Sequence, residues 1–272
     1  MCLVPAIDGK VIVTVMKTWG KECDVIRFFV DRSDKLLKQN PLVVDFPSTY
    51  SCQTQTCDNQ FGKTFFMWKW AYNSNHSVNW YFKVDSDTYV FVANAKRYLR
   101  RYSANEKHYM GHVGFNEFNP YASGGLYILS QTALNYVYPL LGTIACPNVQ
   151  GERREDVLFG TCMINAGIPA KNIWDKYGRE TIMQLSLNDH FTLDPDSPTR
   201  VNSWYVDSNM QIHWKTDCCS YAPISFHQVK NLNELINIHQ KVHNNIPINT
   251  PAIVGQYLEK VHIQTQMNRY MP

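Results

Sequence analysis

Trp80-Tyr81-Phe82-Lys83-Val84-Asp85-Ser86-Asp87-Thr88-Tyr89-Val90-Phe91-Val92 sets two carboxylates, two residues apart, between two apolar, β-prone runs. Alternate side chains of an extended chain share a side, so Asp85 and Asp87 can converge on one divalent cation. Hard cations such as Mg²⁺ and Mn²⁺ take oxygen ligands and bridge readily to phosphate oxygens. Asp and Ser are also common turn residues, and a bare D-x-D reads first as an acidic turn. The flanks shift that balance. Apolar runs on both sides put the carboxylates at a strand end inside a core region, where unpaired charge is costly and a cation supplies the partner.

On either side of this stretch, strand and helix patterns alternate. Residues 25–30 (VIRFFV) read as a buried strand, and 79–84 as another. Phe61, Phe65, Trp68 and Tyr72 recur at helical spacing, which predicts a helix over 61–73. Residues 88–92 are β-rich, and a helix follows from about Ala93, with Ala95, Tyr98, Leu99 and Tyr102 on one stripe. Residues 120–125 read as a turn-rich loop before a short strand at 126–129. Ser130 suits the N-cap of a helix containing Ala133, Leu134 and Val137. A helix over 155–166 stops at Gly167, a good C′ residue. Residues 175–225 look irregular, 231–243 helical, 244–251 a linker and 252–266 a final amphipathic helix. This order predicts an α/β domain over 1–243, with helices on a mostly parallel sheet, followed by a linker and C-terminal helix over 244–272.

Three further segments bear on chemistry. Ser123-Gly124-Gly125 permits close backbone approach to a ligand, or simply makes a loop. Glu155-Asp156 opens a helix, where the helix dipole favours acids; the functional alternative is a general base held there. His227, in Ser225-Phe226-His227, is a structural histidine or the completion of a carboxylate metal site. G-x-S-x-G, H-E-x-x-H, Walker A and G-x-G-x-x-G are all absent, which removes most support for hydrolase, P-loop and Rossmann dehydrogenase readings.

Composition bounds the rest. The 272 residues are 44% hydrophobic and 18% charged, which excludes a disordered chain. A net charge of +3 gives no reason to propose a nucleic-acid partner or a polybasic membrane surface. The longest apolar run, Val11 to Met16, falls far short of the roughly 18 residues of a membrane helix. Met1 leads directly into Cys2-Leu3-Val4-Pro5 without a basic leader, so the segment is expected to be soluble. The eight cysteines lack zinc-ribbon spacing, and their even number is consistent with an oxidising compartment. Cys52 and Cys57 could close a small loop, Cys146 and Cys162 flank the start of the Glu155 helix as candidate partners, and the vicinal Cys218-Cys219 either bridges through a strained turn or finds separate partners. Asn75-His76-Ser77 is a weak glycosylation sequon.

Five stretches, in order, resemble glycosyltransferase family 31, the inverting β1,3-glycosyltransferases, and within it the core 1 β1,3-galactosyltransferase subgroup. They are Thr18-Trp19 with Cys23; Lys83-Val84-Asp85-Ser86-Asp87-Thr88-Tyr89-Val90; Tyr121-Ala122-Ser123-Gly124-Gly125 with Tyr127-Ile128-Leu129-Ser130; Glu155-Asp156 with Gly160 and Cys162; and Cys218-Cys219-Ser220 with Ser225-Phe226-His227. The resemblance covers roughly residues 2–230. It implies a GT-A fold, a UDP-galactose donor and a glycoprotein or glycopeptide acceptor carrying O-linked GalNAc. It implies that Asp85, Asp87 and His227 hold Mn²⁺, with Mg²⁺ as the alternative, and that Asp156 is the general base. Trp80, Ser123, Gly124, Gly125, Glu155, Arg179 and Glu180 would shape the donor and acceptor pocket. It further implies a lumenal, Golgi-type location, and a homo-oligomer is compatible with it. The segment ahead of Thr18 is shorter than the family's, which implies an absent or remodelled uridine-binding edge. Leu126 meets Tyr127 one residue earlier than in the usual pattern. Transfer of another sugar such as GlcNAc, and a non-catalytic chaperone-like role, are the competing readings; the intact Asp85 and Asp87 count against the second.

Overall fold

A computed structural model of the chain describes all residues except 7, 32–34, 51–58, 75, 118, 150, 152, 193–217, 230, 247–251 and 271–272. The Cys52–Cys57 loop, Asn75 of the sequon and most of the expected linker therefore lie outside the described residues. Through residue 99 the elements are β1 (Cys2–Pro5), α1 (Gly9–Lys17), β2 (Ile26–Val30), α2 (Lys35–Lys38), β3 (Val43–Asp45), α3 (Gln60–Asn73), β4 (Trp80–Val84), β5 (Tyr89–Val90) and α4 (Val92–Leu99). There follow β6 (Tyr109–Asn116), β7 (Asn119–Ser130), α5 (Gln131–Val137), α6 (Glu155–Asn165), β8 (Lys171–Asn172), β9 (Ile182–Met183), α7 (Leu187–Thr192), β10 (Ser225–Phe226), α8 (Leu232–Asn244) and α9 (Ala252–Tyr270).

The chain divides into two compact units. The first comprises residues 1–12, 24–86 and 104–172. Its seven-stranded sheet has the order β3-β2-β1-β4-β7-β6-β8. β1 pairs in parallel with both β2 and β4, so Cys2-Leu3-Val4, all buried, sit mid-sheet. β7 runs antiparallel to both its neighbours, β4 and β6, which makes the sheet mixed. A parallel sheet buried on both faces needs near-continuous apolar strands, as β2 and β4 supply. Trp68 of α3, Tyr109 of β6, Tyr127 of β7 and Phe159 of α6 are fully buried and pack together: Phe159 stacks on Trp68, with centroids 5.5 Å apart, and on Tyr127, and Tyr109 meets Phe159 edge-on. That aromatic layer pins α3 and α6 within the core around this sheet. The Cys146–Cys162 disulfide expected from the sequence ties α6 to the preceding loop.

The second unit comprises residues 13–23, 87–103 and 173–272. It holds a small sheet, β5-β10-β9, with α4, α7, α8 and α9. Phe91, Phe226 and Tyr257 form its aromatic centre, and Tyr257 of α9 donates to the Ser220 carbonyl at 2.6 Å. Asn231 caps α8, accepting from Glu234 N at 2.9 Å. Cys218 and Cys219 bridge each other.

The α/β class expected from the sequence holds. Two segments differ. Residues 120–125, read as a loop, are the middle of the continuous strand β7. Paired residues run from Asn119↔Asn116 to Leu129↔Tyr109 along β6, with an irregularity between Gly111 and Val113. Ser, Gly and Pro mark turns only where the chain leaves the sheet; here β6 pairs with residues 119–122 and 127–129 and β4 with 126–130, and the residues between continue the strand. Ser130 caps α5 as expected, accepting from Ala133 N at 3.1 Å. Residues 88–92 shorten to the two-residue β5, because α4 already begins at Val92. No helix among the described residues is long and apolar enough to cross a membrane.

Candidate functional site

In the first unit, chemistry gathers at the C-terminal end of β4. Lys83 is the single charge in the strand Trp80–Val84, and its side chain is only 4% exposed. A buried ammonium needs partners. Its Nζ donates to Asp85 Oδ1 at 2.6 Å, to Glu155 Oε1 at 2.6 Å and to the Gly124 carbonyl at 2.9 Å. Tyr127 OH donates to the other Glu155 oxygen at 3.2 Å. Asp156 accepts from the Gly124 amide at 3.0 Å and the Val157 amide at 2.9 Å.

Gly124 explains the glycine pair better than turn formation does. A Cβ there would lie 3.0 Å from Glu155 Oε1, 3.6 Å from Asp156 Oδ2 and 3.7 Å from Asp85 Oδ2. Three carboxylates converge on the backbone of β7, and a side chain there would crowd Glu155 while only touching Asp156 and Asp85. Gly125 contributes its carbonyl, which accepts from Asp85 N at 3.0 Å and fixes the end of β4.

The electrostatics follow from this crowding. Burial pushes the Glu155 carboxyl up to about 7; Lys83 pulls against this, while Asp156 and Asp85 add to the rise. Burial likewise raises Asp156, opposed by Lys83 and by the amides of Val157 and Gly124. For Lys83, burial works to lower the ammonium, but Asp85 and Glu155 outweigh it and hold it above the ordinary lysine range. Three carboxylates against one ammonium leave a net charge of −2 when all are ionised, so a raised carboxyl is the expected outcome.

In the second unit, β10 pairs antiparallel with β5, Phe226 opposite Tyr89. That register sets His227 beside the residues just before β5. His227 Nε2 lies 3.3 Å from Asp87 Oδ1, and the Val229 amide donates to the Asp87 carbonyl at 2.9 Å. The Asp87 side chain is 48% exposed and that of His227 15%. An imidazole nitrogen and a carboxylate oxygen this close form half of a mixed N/O donor set that suits a divalent transition ion.

The expected residues thus fall into groups. Asp85, Gly124, Gly125, Glu155 and Asp156 come together in the first unit, and Ser123 is buried beside them in β7. Asp87 and His227 come together in the second. Trp80 does not join the carboxylates: it starts β4, about 16 Å of strand from Asp85, and packs on His108 with centroids 5.6 Å apart. Arg179 is clamped by Asp175, with Nε at 2.9 Å from Oδ2, and lies 4.6 Å from the Tyr221 ring. Glu180 is fully buried, its carbonyl accepting from Ser220 N at 2.9 Å. Sequence reasoning missed Lys83 and Tyr127. The signal for Lys83 was present: a lone lysine in an apolar strand, two residues before Asp85 and so on its side.

Residues 8–251 match the Fringe-like family. The chain belongs to the Fringe-like family. The likeness to core 1 galactosyltransferases also holds. A Xenopus laevis protein, glycoprotein-N-acetylgalactosamine 3-beta-galactosyltransferase 1, is 29% identical over 223 residues, covering 79% of this chain and 57% of that protein. A human Fringe-like relative, UDP-GalNAc:beta-1,3-N-acetylgalactosaminyltransferase 1, is 24% identical over 207 residues, 60% of this chain and 59% of that one. The chain therefore spans less than two thirds of either relative's length. Among solved structures, the galactosyltransferase LgtC with donor and acceptor sugar analogues aligns over 96% of this chain and 100% of that one, at 9% identity and a TM-score of 0.42.

Proposed function

We propose that this chain is a GT-A-type, metal-dependent, inverting β1,3-glycosyltransferase. It transfers galactose from UDP-galactose to the 3-hydroxyl of O-linked GalNAc on a glycoprotein or glycopeptide. The observation that carries this reading is the pairing of Asp87 with His227 at 3.3 Å in a Fringe-like chain. The donor set fits a divalent ion such as Mn²⁺. Asp87 and His227 would hold it, and Asp85 joins them by its place two residues upstream in the chain. A bound ion neutralises charge developing on the departing diphosphate.

Asp156 is the proposed general base for the acceptor hydroxyl. Its two backbone amides fix the carboxylate, and its raised proton affinity makes it a better base than an exposed aspartate. Glu155 and Lys83 act as positioning residues: the ammonium bridges Asp85 and Glu155 and so orients the end of β4 relative to the start of α6. The Cys146–Cys162 disulfide suits an oxidising lumen, in keeping with a Golgi location. The human relative favours one second reading, a GalNAc donor in place of galactose.

The deciding experiment is a transfer assay with UDP-galactose, UDP-GalNAc and a GalNAc-threonine peptide, with and without Mn²⁺, on the wild type, Asp87→Ala and Asp156→Asn. Galactosyl product that requires Mn²⁺ and vanishes in both variants supports the reading. Product only from UDP-GalNAc moves it to the second donor. Metal-independent product, or an active Asp87→Ala, overturns it.

A further inference from the structure

The second unit contains a cleft of about 680 Å³ whose lining includes Arg179 but none of the residues proposed to hold the metal, act as base or position them. This lies within the roughly 300–1,000 Å³ of small-ligand pockets. It is framed by the end of α4, the turn carrying residues 175–179 and the outer half of α9.

Its charge is one-sided. Arg97, Arg101, Lys176 and Arg179 line it against one carboxylate, Asp175. Asp175 is already consumed: it accepts from the amides of Tyr177 and Arg179 and from the Arg179 guanidinium, which together hold its carboxyl below the usual range although burial works to raise it. Arg179 is thereby neutralised, and Arg97, Arg101 and Lys176 remain in excess. The dipole of α4 attracts cations to its C-terminal end, which suits Arg97 and the exposed Arg101 in the wall of the cleft. An anion in the cleft meets both guanidinium groups from the side that lines it.

The remaining lining points to a sugar. Tyr98, Tyr177 and Tyr221 border the cleft, and Tyr177 is 68% exposed. Rings of this kind pack on the apolar C–H faces of a pyranose. A relay of carboxamides forms another wall: Gln264 Nε2 donates to Asn268 Oδ1 at 3.0 Å, Asn268 Nδ2 to Asn94 Oδ1 at 3.1 Å, and Asn94 Nδ2 to the Pro223 carbonyl at 2.8 Å. Each amide is oriented by the next, which presents ordered polar groups for hydroxyls.

We infer that this cleft is a binding site for an acidic saccharide, a sulfated or uronate-bearing sugar unit whose anionic group meets Arg97 and Arg101. It goes beyond the transfer reading and needs neither donor nor metal.

Calorimetric titration of the full chain, without nucleotide sugar or metal, tests it with five probes: a sulfated disaccharide, a glucuronate-bearing disaccharide, their neutral parent, inorganic sulfate and a phosphopeptide. At least one charged disaccharide should bind about tenfold or more tightly than the neutral parent. Arg97→Gln and Arg101→Gln should each weaken it by about tenfold, and high salt should weaken it as well. Arg101 is exposed, so its variant keeps the test decisive if Arg97→Gln unfolds; unchanged melting of Arg101→Gln is the control. Which charged probe binds better separates sulfate from uronate. Equal affinity for the neutral parent, unchanged affinity in Arg101→Gln, or inorganic sulfate binding as tightly as the disaccharide overturns the inference. So does a phosphopeptide that binds more tightly than either sugar. A chain that transfers sugar but fails these titrations loses this site only.

Discussion

The two carboxylates of one D-x-D motif live in different worlds. Asp85, itself 31% exposed, belongs to a mostly dry cluster: its partner Lys83 is 4% exposed, and that lysine's other partner, Glu155, 6%. Asp87 belongs to a wetter pair, itself 48% exposed, beside the imidazole of His227. In the dry cluster every group depends on another, because removing one partner strands a buried charge. In the wetter pair, water reaches the Asp87 carboxylate, so the contact adds little to folding and that carboxylate remains available to a ligand. Sequence proximity thus says nothing about energetic role.

The largest effect should come from Lys83→Met. It leaves Asp85 and Glu155 without their shared cation, and chemical denaturation should show a loss of about 3–5 kcal/mol. Adding Glu155→Gln should recover part of it, since the two residues are in contact; strict additivity would break the account of a coupled cluster. Gly124→Ala comes next. Its methyl would meet Glu155 Oε1 at 3.0 Å, at a residue whose amide is held by Asp156 and whose carbonyl is held by Lys83. Unfolding should register roughly 1–3 kcal/mol, and an unperturbed variant would show that the carboxylates have room to retreat.

A smaller effect separates the two regions by pH. The Glu155 carboxyl rises in the fold to about 7 from an ordinary 4.5. The folded state therefore binds more protons than the unfolded chain between these values. Its contribution to stability is fully present below pH 4.5 and is lost as pH rises towards 7, with a slope of at most on the order of 1 kcal/mol per pH unit. Asp156, also raised, adds the same sign. Glu155→Gln should make the slope shallower, and an unchanged pH profile would contradict the raised carboxyl. The smallest effect on stability belongs to His227→Ala, within about 1 kcal/mol. The same variant should weaken Mn²⁺ binding sharply when titrated directly. A large loss of stability would make His227 a structural histidine after all.

Much of this was legible beforehand because it is local. The aromatic spacing from Phe61 to Tyr72 specifies a helix, and the apolar run at Trp80–Val84 a strand, since burial periodicity is set by backbone geometry. Ser130 and Gly167 mark helix ends through capping and left-handed backbone, both properties of a few consecutive residues. The loop read over residues 120–125 shows the limit. Its Ser-Gly-Gly satisfies every local turn rule, yet the paired residues on either side of it, 119–122 on β6 and 126–130 on β4, belong to one strand and the stretch stays extended. Trp80 shows another: it flanks the motif in sequence, but a strand carries its two ends apart.

What the sequence determined by itself was the α/β class, the Fringe-like family and the residue types at hand, because motif order and short-range periodicity do not depend on distant partners. What only the tertiary structure decided was who meets whom. Lys83 finds Glu155 72 residues away, Gly124 becomes the ground on which three carboxylates meet, and His227 reaches Asp87 through the register of two-residue strands. Proton affinities and ligand sets follow from such long-range encounters, since desolvation and Coulomb attraction depend on distance in space and not on separation along the chain.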